Sequence, residues 1–139
     1  MLNRRDRTVA EVRLHLQRKD VPPETIDRAV GDLVDQGYLD DARFARRFAE
    51  DKRLLEQWGS GRIERGLLAL GVDRELIAAA VVETTPQGEL EAALGVLRRR
   101  FPSPPDDAGA QRRALGVLAR KGYDSELAGD AIRAYRRGD

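Results

Sequence analysis

Aligned against itself with an offset of 51 residues, the chain superposes Leu16, Leu67 and Leu118; Val21, Val72 and Tyr123; Glu24, Glu75 and Glu126; Ala29, Ala80 and Ala131; and Val30, Val81 and Ile132. That period is too long for a coiled coil and fits a unit of two or three helices. Such a unit cannot bury its apolar face alone and stacks on its neighbours. The expected fold is all-α, an elongated tandem array of three-helix, helix-turn-helix-like units, with function spread over an extended surface.

Composition agrees with helices: 35% of the residues are charged and only 5% aromatic, and strand-forming runs are nearly absent. With no cysteine, a disulfide framework and a thiolate metal site are both excluded. The single histidine, His15, stands between Leu14 and Leu16 in a helical stretch and reads as structural or solvated. The start, Met1 to Arg7, carries three arginines with no apolar run behind them, unlike a secretory signal. No stretch approaches the roughly 20 apolar residues that span a bilayer.

The prolines divide the chain, because proline inside a helix costs about 3 kcal/mol. Between them the pattern predicts eight helices: Val9–Arg18, Pro23 to just before Gly37, Asp40 or Asp41 to Gln57, Ser60–Leu70, Asp73–Glu83, Glu89–Arg100, Ala110–Lys121 and Ser125–Arg137. Thr8 and Glu11 have capping-box spacing, and Asp40 and Asp41 suit a helix start. Val34, Phe44, Phe48 and Leu55 are placed on inward faces, and Tyr38 and Leu39 in the core between units. The loop-like stretch from Phe101 to Gly109 is a hinge candidate. On the 51-residue period the units fall at 1–38, 39–86 and 87–139, the first truncated to two helices and the others holding three each.

The net charge of +1 conceals a segregation. From Asp20 to Asp41 there are seven acidic residues and one basic, whereas from Arg98 to Arg137 there are ten basic and five acidic. Such polarity favours oriented docking on charged partners over uniform attraction to nucleic acid.

The stretch Gly37-Tyr-Leu-Asp-Asp-Ala-Arg-Phe-Ala45 resembles the signature of the RecX family, regulators of the bacterial recombinase RecA. Trp58-Gly-Ser-Gly-Arg-Ile63, Leu70-Gly71-Val72 and Leu118-Ala-Arg-Lys-Gly-Tyr123 extend the resemblance over nearly the whole chain. It implies a non-enzymatic, cytoplasmic, monomeric protein without cofactor. Its partner would be the RecA filament, with the single-stranded DNA inside it and weak direct DNA binding at most. The effect would be to restrain ATP hydrolysis, strand exchange and coprotease action in repair, recombination and the SOS response. By that resemblance the sequence reads as a short member, since the family usually carries an extra helix before the segment that starts here near Arg4.

The partner-facing candidates are basic. Arg43 and Arg47 share a helix face, with Arg46 one step away and Arg53 continuing the row; Arg46–Glu50 and Arg47–Asp51 have the spacing of local pairs. Arg62 and Arg65 lie beside the Gly59-Ser-Gly61 entrance, whose free amides could hold an anion. Arg112, Arg113, Arg120, Lys121, Arg133, Arg136 and Arg137 form the largest basic concentration and a candidate strip facing nucleic acid. Trp58 reads as a buried joint between units. The rival reading is a stand-alone helix-turn-helix DNA-binding regulator, but the third helices of the units open with Glu24, Asp73–Glu75 and Asp124–Glu126, which repel phosphates. Catalysis lacks a nucleophile–base pair or metal cluster.

Overall fold

The computed structural model describes residues 6–82 and 84–138. Among them, eight helices and no strand are present: α1 Val9–Arg18, α2 Pro23–Asp35, α3 Asp41–Glu56, α4 Ser60–Ala69, α5 Arg74–Val81, α6 Pro86–Arg100, α7 Ala108–Lys121 and α8 Ser125–Arg137. Two starts differ from expectation. Helix α6 begins at Pro86, because Thr85 caps the Gly88 amide and proline tolerates the first helical turn. Helix α7 begins at Ala108, capped by Asp107 on the Ala110 amide. Glu83, the expected end of the fifth helix, lies outside the described residues.

Packing divides into three clusters. Ile26, Val30 and Leu39 are buried with Val9, Val12 and Leu16 against them. Ala45, Ala49, Ile63, Leu67, Val72, Ile77 and Ala80 form a second core under Phe44, Phe48 and Trp58. The third gathers α6, α7 and α8 around Leu97, Leu118, Ala131 and Ile132. In the second and third clusters the first helix lies across the third, α3 on α5 and α6 on α8. Among the described residues no helix lies across α2 as α3 lies across α5 and α6 across α8, and the repeated positions register the difference. Leu67 and Leu118 are fully buried but Leu16 is only half-buried, as is Ala29 where Ala80 and Ala131 are buried.

That thin cover also explains two misplacements. Val34, expected inside, is 46% exposed, and Tyr38 is 73% exposed while its neighbour Leu39 is buried. Leu55, also expected inside, points out at 73% exposure because Phe48, Lys52 and Trp58 occupy the inward side of that turn.

The clusters are joined by helix ends, and the joint repeats with the 51-residue period. At the junction of α7 with α4, the Gly59 amide donates to the Lys121 carbonyl at 2.7 Å and the Gly61 amide to the Gly122 carbonyl at 2.9 Å. The Ser60 amide donates to Glu89 Oε2 at 2.7 Å. One period earlier, where α4 meets α1, Thr8 Oγ1 donates to the Leu70 carbonyl at 2.7 Å and the Val9 amide to Asp41 Oδ1 at 3.0 Å. Thr8, Val9 and Leu70 stand 51 residues before Gly59, Ser60 and Lys121. Each joint sets the positive amino end of one helix on the negative carboxyl end of another, satisfying groups that both helices leave unpaired.

Gly122 makes this approach possible. Its φ is +103°, and a Cβ there would overlap the Cβ of Arg62 and lie 2.5 Å from the Arg62 nitrogen. Gly31, by contrast, lies in helical α2 with open space around it. Gly122→Ala should therefore lower unfolding free energy by about 2 kcal/mol or more, whereas Gly31→Ala should raise it by about 0.5–1 kcal/mol, both read by urea denaturation.

Candidate nucleic-acid and protein interface

Helix α3 carries the first basic site. Asp40 caps it through the Arg43 amide at 3.0 Å, which leaves Asp41 free to reach α1. Burial raises the Asp41 pKa, with the Val9 amide opposing and Asp73, Asp40 and Glu11 adding to the rise. Along the outer side of the helix, Arg43, Arg46, Arg47, Glu50, Arg53 and Leu54, with Thr84, line an open cleft of about 530 Å³. The four arginines expected in a row are thus brought together around one concavity.

Their guanidinium groups are not equivalent. Arg43 Nη2 donates to the Gly37 carbonyl at 3.1 Å and Nη1 lies 3.9 Å from Asp40. Arg53 Nη2 donates to the Val81 carbonyl at 3.1 Å, tying α3 to the end of α5, while its buried Nε has no hydrogen-bond partner among the described residues. Arg47 pairs with Asp6 at 3.3 Å, an exposed contact of small energetic weight. Among the described residues no ion pair joins Arg46 to Glu50 or Arg47 to Asp51, in departure from the spacing-based expectation. Arg46 and Arg47 are the outward-facing members.

The Gly59-Ser-Gly61 entrance differs from its reading as an anion cradle, because the joint consumes all three amides. Its neighbours are likewise engaged. The Arg62 guanidinium lies 4.3 Å from the Trp58 ring centroid and donates to the Arg120 carbonyl at 3.1 Å. Lys52 Nζ lies 4.7 Å from the same ring. Trp58 is half-buried on the second cluster, edge-on to Phe48, and meets the joint through Arg62. Lys121 Nζ donates to the Glu56 carbonyl at 2.8 Å, closing the end of α3. Arg62 and Lys121 thus hold the two clusters together. Arg65 lies with Glu64 and Arg74 on a groove between α4 and α5.

The third cluster's cations divide by position. Arg112 and Arg113 are exposed on the first half of α7, and Arg120 is exposed at its end. Arg133, Arg136 and Arg137 line a concavity with Asp106, and Arg133 pairs with Asp130. The loop expected as a hinge is pinned where Tyr135 Oη donates to the Phe101 carbonyl at 2.6 Å, and Pro105 within it is buried.

Among the described residues no group of three His, Asp or Glu side chains is arranged to hold a metal ion, and no helix is long and apolar enough to cross a membrane.

The fold is an all-α array of helix-turn-helix-like units, a helical-repeat protein with arginines gathered on open concavities. The chain belongs to the RecX family: its second three-helix domain matches residues 40–81, its first residues 1–33 and its third residues 87–132. The described part of the first match holds only α1 and α2. The chain is 35% identical over 131 residues to "Regulatory protein RecX" of Trichlorobacter lovleyi, covering 91% of this chain and 85% of that protein. It is 34% identical over 141 residues to the protein of the same name from Xanthomonas campestris pv. campestris, covering 100% and 83%. The crystal structure of RecX from Lactobacillus salivarius superposes with a TM-score of 0.84 at 20% identity, over 95% of this chain and 87% of that one, a likeness of fold.

Tyr123 supplies a pH signature of the joint. Its hydroxyl donates to the Gln57 carbonyl at 3.0 Å, and burial, reinforced by the Glu89 carboxylate, pushes its pKa up to about 12. The fold favours the neutral phenol, so this contribution is complete below the ordinary pKa of about 10 and is lost as pH rises through the folded value. Tyr123→Phe should be less stable by about 1 kcal/mol at pH 7 and should lack that component of alkaline destabilisation, measured by denaturation between neutral and strongly alkaline pH.

Proposed function

We propose that this chain is a non-enzymatic regulator that binds the RecA nucleoprotein filament and restrains recombinase, ATPase and coprotease activity. The observation that carries the reading is the α3 cleft, where Arg46 and Arg47 face outward from a row of arginines held in place by Arg43 and Arg53. Its position in the middle unit lets acidic unit 1–38 and basic unit 87–139 engage the filament on either side, with unit 39–86 between them. Basic residues of the third unit, Arg112, Arg113, Arg120, Arg133, Arg136 and Arg137, are the candidates to meet the single-stranded DNA or acidic protein surface. The action is one of bridging or blocking subunits, performed by a monomer in the cytoplasm during repair, recombination and the SOS response.

A stand-alone helix-turn-helix regulator is disfavoured by α2, α5 and α8, which present Glu24, Glu75 and Glu126 in their first turns. The deciding measurement is ATP hydrolysis by the cognate recombinase on single-stranded DNA with the protein titrated in. Inhibition is expected, and Arg46→Glu with Arg47→Glu should weaken it about ten-fold or more with the helical circular dichroism unchanged. Absence of inhibition and of filament co-sedimentation, together with tight sequence-specific duplex binding, would overturn the proposal in favour of the rival.

A further inference from the structure

The α3 cleft combines cations with one exposed apolar side chain outside the three packed clusters. Leu54, 70% exposed, stands in its lining. Val82, 72% exposed, follows the Val81 carbonyl held by Arg53. Single-stranded nucleic acid is gripped by cations together with aromatic platforms on which bases stack, and the cleft's lining contains no aromatic ring. Phe44 and Phe48 pack on the second core, and Trp58 is occupied by Lys52 and Arg62. The arginines of the cleft already take carboxylates, Arg47 from Asp6 and Arg43 from Asp40. The Asp6 contact shows the chemistry an incoming group would reproduce, and it competes with that group for Arg47.

We propose that this cleft is the docking site for an acidic segment of a protein partner that carries an apolar side chain beside its carboxylates. The carboxylates pair with Arg46 and Arg47, for which the planar guanidinium fork is suited, while the apolar side chain covers Leu54. The proposal rests on the reading of the chain as a regulator that binds protein, and it specifies which chemistry of that protein the second unit recognises.

The test is fluorescence anisotropy of a short labelled peptide of glutamates with two leucines, titrated with the full chain at low and physiological salt. Saturable binding that weakens with salt is expected. Arg46→Glu with Arg47→Glu should weaken it about ten-fold or more, and Leu54→Ser should weaken it several-fold. Asp6→Asn should tighten it about two-fold by releasing Arg47. Arg28→Glu, on the exposed side of α2, should leave it unchanged, and circular dichroism checks that each variant is folded. Three results would each overturn the proposal: no binding of the acidic peptide, equal binding of a neutral leucine peptide, or displacement of the peptide from Arg46 and Arg47 by oligothymidine at lower concentration than by unlabelled peptide. No recombinase is present in this titration, so its failure leaves the filament reading to be decided by its own ATPase assay.

Discussion

The structure depends on two backbone hydrogen bonds, from the amides of Gly59 and Gly61 to the carbonyls of Lys121 and Gly122. They pair the unsatisfied donors of one helix start with the unsatisfied acceptors of another helix end, and water is excluded where Gly59, Gly122 and Tyr123 are buried. Breaking the joint would leave buried polar groups unpaired, at about 1–3 kcal/mol each. The surrounding contacts converge on the same place: Ser60 with Glu89, Tyr123 with Gln57, Lys121 with Glu56 and Arg62 with Arg120. Two small cores that would each be marginal alone are coupled through one polar seam.

The joint between the first and second clusters has the same plan in different chemistry. Side chains of Thr8 and Asp41 stand where the second joint uses backbone and Glu89. Thr8 is fully buried and serves twice, accepting from the Glu11 amide at 3.1 Å to cap α1 and donating to Leu70. Partial burial raises the Asp41 pKa, and the Val9 amide opposes the rise. A thinner core and a side-chain joint make the amino-terminal cluster the weaker part of the array, and it is also the acidic one.

Most of the fold was legible because its signals are local. The apolar period, the prolines and the capping residues locate the helices to within a few residues, and the 51-residue offset reports the shared packing positions. The offset also matched Thr8 to Gly59 and Leu70 to Lys121, but those pairs share no chemistry and gave no sign that they occupy the same joint. For the same reason Gly59-Ser-Gly61 looked like an anion entrance: its amides are free within their own helix and are consumed only by residues about 60 positions away. The arginine row on α3 was visible from helical spacing. Which of its members remain available was not, since Asp6, Gly37 and Val81 come from other elements. Leu55 and Tyr38 were misplaced because an inward stripe identifies a face and not how far the neighbouring helix covers it.

These joints bear on function by fixing where the basic groups lie. Arg62 and Lys121, which composition alone places with the surface cations, hold clusters together, and Arg46 and Arg47 on α3 with the exposed arginines of α7 and α8 are the cations proposed to meet a partner. A rigid seam between the second and third clusters would let these two groups act on one partner without ordering the chain first. The most direct test is native-state hydrogen exchange at the amides of Gly59 and Gly61. Protection comparable to that of the core amides of Ile63 and Leu67 is expected, lost together when Gly122→Ala opens the joint. Exchange of Gly59 and Gly61 at the rate of an unprotected amide, while Ile63 and Leu67 remain protected, would contradict it.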